Sequence, residues 1–116
     1  MSIYVHVMQA LAGLAGGRVF PLVADEGVDT PYIVVQRVGG PATNFLTGEA
    51  PEKQMNRVQV TVWAASVLEA EAVGGQVEAA IRGAVDLQPE VLGRAVDDYD
   101  PTTKYKGSRQ EFRIFC

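Results

Sequence analysis

The residues of this chain that could carry chemistry are few and scattered. His6 is the only histidine and Cys116 the only cysteine among 116 residues. Catalytic and metal-binding histidines work with several convergent partners. His6 has no second histidine and no cysteine near it, so it reads as a residue on the exposed side of a helix. Cys116 is the last residue and has no identifiable base, whereas a reactive thiol needs a setting that lowers its pKa. It reads as a small apolar residue at a strand end. Asp97, Asp98 and Asp100 form D-D-Y-D, and hard cations do take oxygen ligands. That spacing fits no calcium loop, and aspartate favours turns through its local hydrogen bonds. A strand running into a turn is the preferred reading. Neither G-x-x-x-x-G-K-[ST] nor G-x-G-x-x-G occurs, so Gly74-Gly75 is not a phosphate loop. The expectation is no catalytic residue, no cofactor, no metal, and no enzyme. A small metal-dependent enzyme or ligand-binding domain using Asp97–Asp100 is kept as the alternative.

Other features suit contact with another macromolecule. Lys104, Lys106, Arg109 and Arg113 lie close together near the C-terminus. They could meet phosphates, pair with an acidic loop of a neighbouring subunit such as residues 25–29, or form a solvated face. The net charge of −4 argues against nucleic acid or anionic membrane as a partner of the whole protein. Residues 41–54, P-A-T-N-F-L-T-G-E-A-P-E-K-Q, form a long connection, and long loops in compact domains are often functional. Phe45 and Leu46 stand out there as apolar side chains in a polar segment. Either a partner covers them or they fold back as a plug over the core. Asn44, Phe45, Leu46, Lys104 and Lys106 are the candidate partner contacts. Gly74-Gly75 interrupts a helical pattern, and each glycine costs about 1 kcal/mol relative to alanine. Close packing on a sheet, a subunit contact and a kink all remain open.

The elements that must position these residues follow from periodicity. Residues 57–63, R-V-Q-V-T-V-W, alternate cleanly and predict a half-buried strand. Ser66 with Glu69 three residues on makes a capping box. Ala70, Val73, Val77, Ala80, Ile81 and Ala84 then give a helical stripe ending near Val85. Residues 2–15 predict a first helix capped by Ser2, with Val5, Met8, Leu11, Ala12 and Ala15 as its stripe. Ile3, Val5 and Val7 also alternate, so the conformation of residues 1–8 is open between helix and strand. Gly16-Gly17 stops that helix. Residues 19–23 predict an edge strand broken by Pro21. Residues 32–38 predict an interior strand. Residues 91–99 and 109–115 predict a hairpin, with Pro101 where a type I turn wants it and Gly107 loosening the return.

Apolar residues make up 47% of the chain and charged ones 21%, an ordinary globular balance. The expected architecture is one α+β domain over residues 1–116, a mostly antiparallel sheet of four to five strands with two helices packed on one face. No apolar run approaches a membrane span. The N-terminus lacks a basic leader, and no internal disulfide is possible, so synthesis in a reducing cytoplasm is expected.

The order of these pieces is similar to a known family. A-L-A-G-L-A-G-G-R-V-F-P-L is followed by an acidic loop and P-Y-I-V-V-Q-R-V-G-G. A variable loop leads to N-R-V-Q-V-T-V-W-A-A, a helix with E-A-E-A-V-G-G-Q-V-E-A-A-I-R, and the closing D-D-Y-D-P-T-T-K-Y-K-G-S-R-Q-E-F-R-I-F. Over most of its length the chain resembles the small tail-completion, or tail-terminator, proteins of long-tailed bacteriophages and prophages. The resemblance implies a structural virion protein of the tail or neck, made in the host cytoplasm. It would cap the head-proximal end of the tail tube and take part in head–tail joining. The implied partners are copies of itself in a homo-hexameric ring, the tail-tube protein and the head-completion or connector protein. Contact with DNA would be at most non-specific. Another neck adaptor or minor tail protein is the nearest alternative.

Overall fold

The computed structural model describes residues 2–42, 44–49 and 51–116. Its elements are α1 (Ile3–Leu11), β1 (Val19–Pro21), β2 (Tyr32–Arg37), β3 (Met55–Ala64), α2 (Val67–Gly83), β4 (Glu90–Val91), β5 (Val96–Tyr99) and β6 (Lys106–Phe115). The fold is α+β, with a six-stranded sheet ordered β1-β2-β3-β6-β4 and β5 paired to β6 beside β4. The expected four to five mostly antiparallel strands are thus six in a mixed sheet. Two differences account for this. β1 runs parallel to β2, Val19 opposite Ile33, and alternation looks the same in either strand direction. The strand expected at 91–99 is split. Gly93 interrupts it, and the Gln110 side-chain amide donates to the Gly93 carbonyl at 2.8 Å. A side chain therefore takes an acceptor that the ladder would otherwise use.

The axis of the sheet is the long antiparallel pair β3–β6, in register from Met55 opposite Phe115 to Ala64 opposite Lys106. Even-numbered β3 residues Val58, Val60, Val62 and Ala64 face the helices and are buried. Ile33 and Val35 of β2, and Phe112 and Ile114 of β6, continue that face. Burying each such side chain contributes roughly 1.5–3 kcal/mol.

Both helices lie on this face. The Ser66 hydroxyl accepts from the Glu69 N–H at 3.2 Å and starts α2, and Ala70, Val73, Gly74, Val77 and Ile81 are buried beneath it. The first segment is a helix, capped by the Ser2 hydroxyl accepting from the Tyr4 N–H at 3.2 Å. Its stripe matches the expected one in Leu11, with Met8 and Ala15 packed against the core, and differs elsewhere. Ile3, Val7 and Leu11 are buried, whereas Val5 is 40% exposed and Ala12 is exposed. The i, i+4, i+8 spacing lines one face over two turns. The helix also ends earlier, at Leu11, and a separate 3-10 turn at Ala15–Gly17 leads into β1.

The opposite face of the sheet carries no helix. Gln59, Thr61 and Trp63 of β3 share it with Arg109, Glu111 and Arg113 of β6. Arg57 stands directly opposite Arg113, a like-charge pair that destabilises a ladder when left alone. Here Arg57 pairs with Glu111, Arg113 with Glu90 at 2.9 Å, and Arg109 with Asp98 at 3.6 Å. The cations of this face are therefore matched by carboxylates of the same chain.

Candidate interaction surfaces

Of the residues singled out for chemistry, His6 and Cys116 come to line one cleft, although the sequence places no cysteine near His6, while Asp97, Asp98 and Asp100 lie elsewhere. His6 is half-buried rather than on an exposed face. It shares an open cleft of about 400 Å³ with Glu52, Lys53, Asp86 and Cys116. Burial pushes the Cys116 thiol above its ordinary pKa, the reverse of what a nucleophile needs. Strand alternation puts Asp97 and Asp98 on opposite faces of β5. Asp98 pairs with Arg109, and an Asp100 carboxylate oxygen accepts from the Thr102 N–H at 2.9 Å. Among the described residues no group of three or more His, Cys, Asp or Glu could hold a metal ion.

The basic cluster also separates. Arg109 and Arg113 are occupied on the uncovered face. Lys106, opposite buried Ala64, belongs to the helix-bearing side. Lys104 is exposed at the tip of the β5–β6 turn, with φ 64°. Its N–H donates to the Asp100 carbonyl at 2.7 Å, and the Asp100 N–H donates to the Tyr105 carbonyl at 3.1 Å. The turn therefore holds one shape. Tyr105 packs edge-on to Tyr32 at 6.2 Å, and Tyr32 edge-on to Phe20 at 6.4 Å. Burial, then Tyr105 and Asp100, raise the Tyr32 phenol pKa. Gly107 is not a loose return but a close approach. A Cβ there would sit 2.9 Å from the Trp63 ring and 3.1 Å from the Asp98 Cβ. An apolar concavity of about 370 Å³ opens between this turn and residues 22–28, with Leu22, Val34 and Trp63 in its wall.

The connection between β2 and β3 is anchored at both ends. The Val38 N–H donates to the Arg57 carbonyl at 2.9 Å, and the Arg57 N–H to the Gly39 carbonyl at 2.7 Å. Gly40 follows at φ 141°, where a Cβ would lie 2.7 Å from the Met55 carbonyl oxygen, so the chain leaves there only as glycine. At the far end Gln54 and Cys116 exchange backbone hydrogen bonds of 3.0 and 3.1 Å. Between these clamps a turn brings the Gly48 N–H to the Phe45 carbonyl at 3.0 Å. Asn44 is exposed, Phe45 is 49% exposed and Leu46 fully so. Neither apolar side chain belongs to the core cluster, so the plug is not formed. Thr43 and Ala50 of this connection lie outside the described residues.

Sequence reasoning missed a polar cleft beside Gly74-Gly75, because it is assembled from three elements. Glu71, Gly75 and Glu78 of α2, Asp97 of β5, and Ser108 and Gln110 of β6 line about 310 Å³, with Arg94 at the rim. The Gln110 amide donates to Glu78 at 2.7 Å. That bond, then Arg82, holds the Glu78 carboxyl below its usual range.

No helix among the described residues is long and apolar enough to cross a membrane. No curated protein matches the chain. One family model does, the tail completion protein gp17 family, and the match covers residues 1–116. A match over the whole length places this protein in the tail completion protein gp17 family of structural bacteriophage tail components.

Proposed function

We propose that this protein closes the head-proximal end of the tail tube and joins it to the head, acting as a ring of six copies. The observation that carries the reading is the clamped 41–54 connection, which holds Phe45 and Leu46 away from the core in a tail-completion chain. Apolar side chains held in water gain by being covered, and a ring would set its copies of them against the repeated subunits of a tube end. In this account Asn44, Phe45 and Leu46 meet the tail-tube protein. Lys104 and Lys106, at the other end of the sheet, serve contacts between copies or with the head-completion protein. A head-to-tail contact that closes by rotation gives a ring, so each copy presents two different surfaces to its neighbours. DNA passing through would meet phosphate-directed cations at most, and the in-chain pairing of Arg109 and Arg113 favours weak contact. No catalysis is needed for any of these roles.

Deleting residues 42–52 tests the reading. Gly40 and Gln54 stay as anchors, so the fold should survive, as read by circular dichroism. Tails assembled with the deleted protein should fail to join heads. Normal joining would refute the assignment of this connection. Loss of connector binding with tube binding intact would instead make the protein a neck adaptor that meets the tube through another surface.

A further inference from the structure

The cleft beside α2 has features that packing does not explain. Gly75 is a mid-helix glycine, yet a Cβ built there meets nothing within 4 Å. Alanine would fit and would favour the helix, so close packing gives no reason for the glycine. What Gly75 does is leave the cleft wall bare. The floor is polar and under-used. Ser108 is 6% exposed and its hydroxyl makes no side-chain hydrogen bond to a described residue, while facing Gly74 and the cleft. Gln110, also 6% exposed, spends its amide N–H groups on Glu78 and the Gly93 carbonyl, which leaves its Oε1 free to accept. No fully inaccessible side-chain polar atom lacks a partner among the described residues, so both oxygens are reached from the cleft. Around them stand the carboxylates of Glu71, Glu78 and Asp97, with the guanidinium of Arg94 in the lining and Arg82 paired to Glu78 from outside it. The site is rich in acceptors and carries a net negative charge.

The geometry points to a socket for a basic side chain from a second copy of this chain, and to Lys104 as the side chain that enters it. Lys104 is exposed, forms no ion pair among the described residues, and is presented on a turn closed by its own backbone hydrogen bonds. It does not reach the socket of its own chain. Tyr105 carries the turn toward Tyr32 on the uncovered face, whereas the socket opens on the helix side, with β5 and β6 between. An ammonium, which donates up to three hydrogen bonds, suits Ser108 Oγ, Gln110 Oε1 and a carboxylate as acceptors. Plug and socket lie on different surfaces, so the contact is head-to-tail. This inference rests on the ring reading above and names one of its interfaces.

Sedimentation velocity of the full-length protein, alone and with tail tubes, compares four forms. They are the wild type, Gly75→Leu, Lys104→Glu, and Lys104→Glu combined with Glu71→Lys and Asp97→Lys. Gly75→Leu fills the socket from open space, and thermal melting should show no loss of stability. Each of the first two variants should weaken association at least tenfold, and the charge exchange should restore it. Full assembly of both variants would overturn the socket and leave the ring standing. Loss without recovery in the exchange would overturn Lys104 as the occupant. A wild type that assembles under neither condition would overturn the ring reading and this contact with it.

Discussion

Adjacent glycines in α2 should respond to alanine with opposite signs. At both positions alanine gains about 1 kcal/mol of helix propensity. At Gly75 nothing opposes that gain, because a Cβ meets no atom within 4 Å. At Gly74 the new Cβ would stand 2.8 Å from Ser108 Oγ and 3.3 Å from Ser108 Cβ. Ser108 is buried on the axial strand β6, so α2 and the sheet must part or the serine must leave its rotamer. Overpacking of this kind costs about 1–3 kcal/mol, which exceeds the propensity gain. Gly74→Ala should therefore destabilise by about 1 kcal/mol and Gly75→Ala stabilise by about 1 kcal/mol. Each should move the melting temperature by roughly 4 °C, in opposite directions. Urea unfolding and differential scanning calorimetry read both changes. Ser108→Ala removes the closer contact, so in that background Gly74→Ala should recover at least about 0.5 kcal/mol, a coupling expected only of touching residues. Equal stabilisation by both alanines would refute the packing argument for Gly74 and the contrast with Gly75.

Three further outcomes follow from the same structure. Ser66→Ala removes the hydroxyl that accepts from the Glu69 N–H and should cost about 1 kcal/mol in urea unfolding. Phe45→Ser with Leu46→Ser should leave stability within about 0.5 kcal/mol, since both side chains are exposed, while co-sedimentation with tail tubes is lost. Cys116 has a raised thiol pKa, so the folded state holds its proton more tightly than the unfolded chain. Its contribution to stability is present below the unfolded thiol pKa of about 8.5 and is lost as pH rises through the folded value. Iodoacetamide labelling of the folded protein should accordingly reach half-rate at a higher pH than labelling of the urea-unfolded chain.

Local chemistry was legible where one periodicity ruled. The alternation of residues 57–63 lies inside β3, and Ser66 caps α2 as its spacing with Glu69 implied. Where two periods overlap, the stripe is legible only in part: Leu11 is buried and Met8 and Ala15 pack against the core, as expected, but Val5 and Ala12 do not. Val5 was placed in the α1 stripe because it fits both a helix and an alternating strand, while Ile3, Val7 and Leu11 are the buried set. Features that need two distant elements were not legible. The parallel β1–β2 pair, the break at Gly93 and the approach of Gly107 to Trp63 all depend on partners far away in sequence. The same holds for the contact candidates. Composition marked Phe45 and Leu46, but only the anchored connection shows that they do not plug the core. Of the four clustered cations, strand register puts Arg109 and Arg113 on one face and Lys106 on the other, while Lys104 stays on the turn.

The claim at the centre of this account is that copies of the chain assemble on the end of a tail tube. Native mass spectrometry of the protein alone, and then with tail-tube protein, tests it most directly, with electron microscopy of capped tubes to count copies at the end. The account predicts six copies, in solution or on the tube end. A monomer in solution together with tube ends that bear no copies would contradict it.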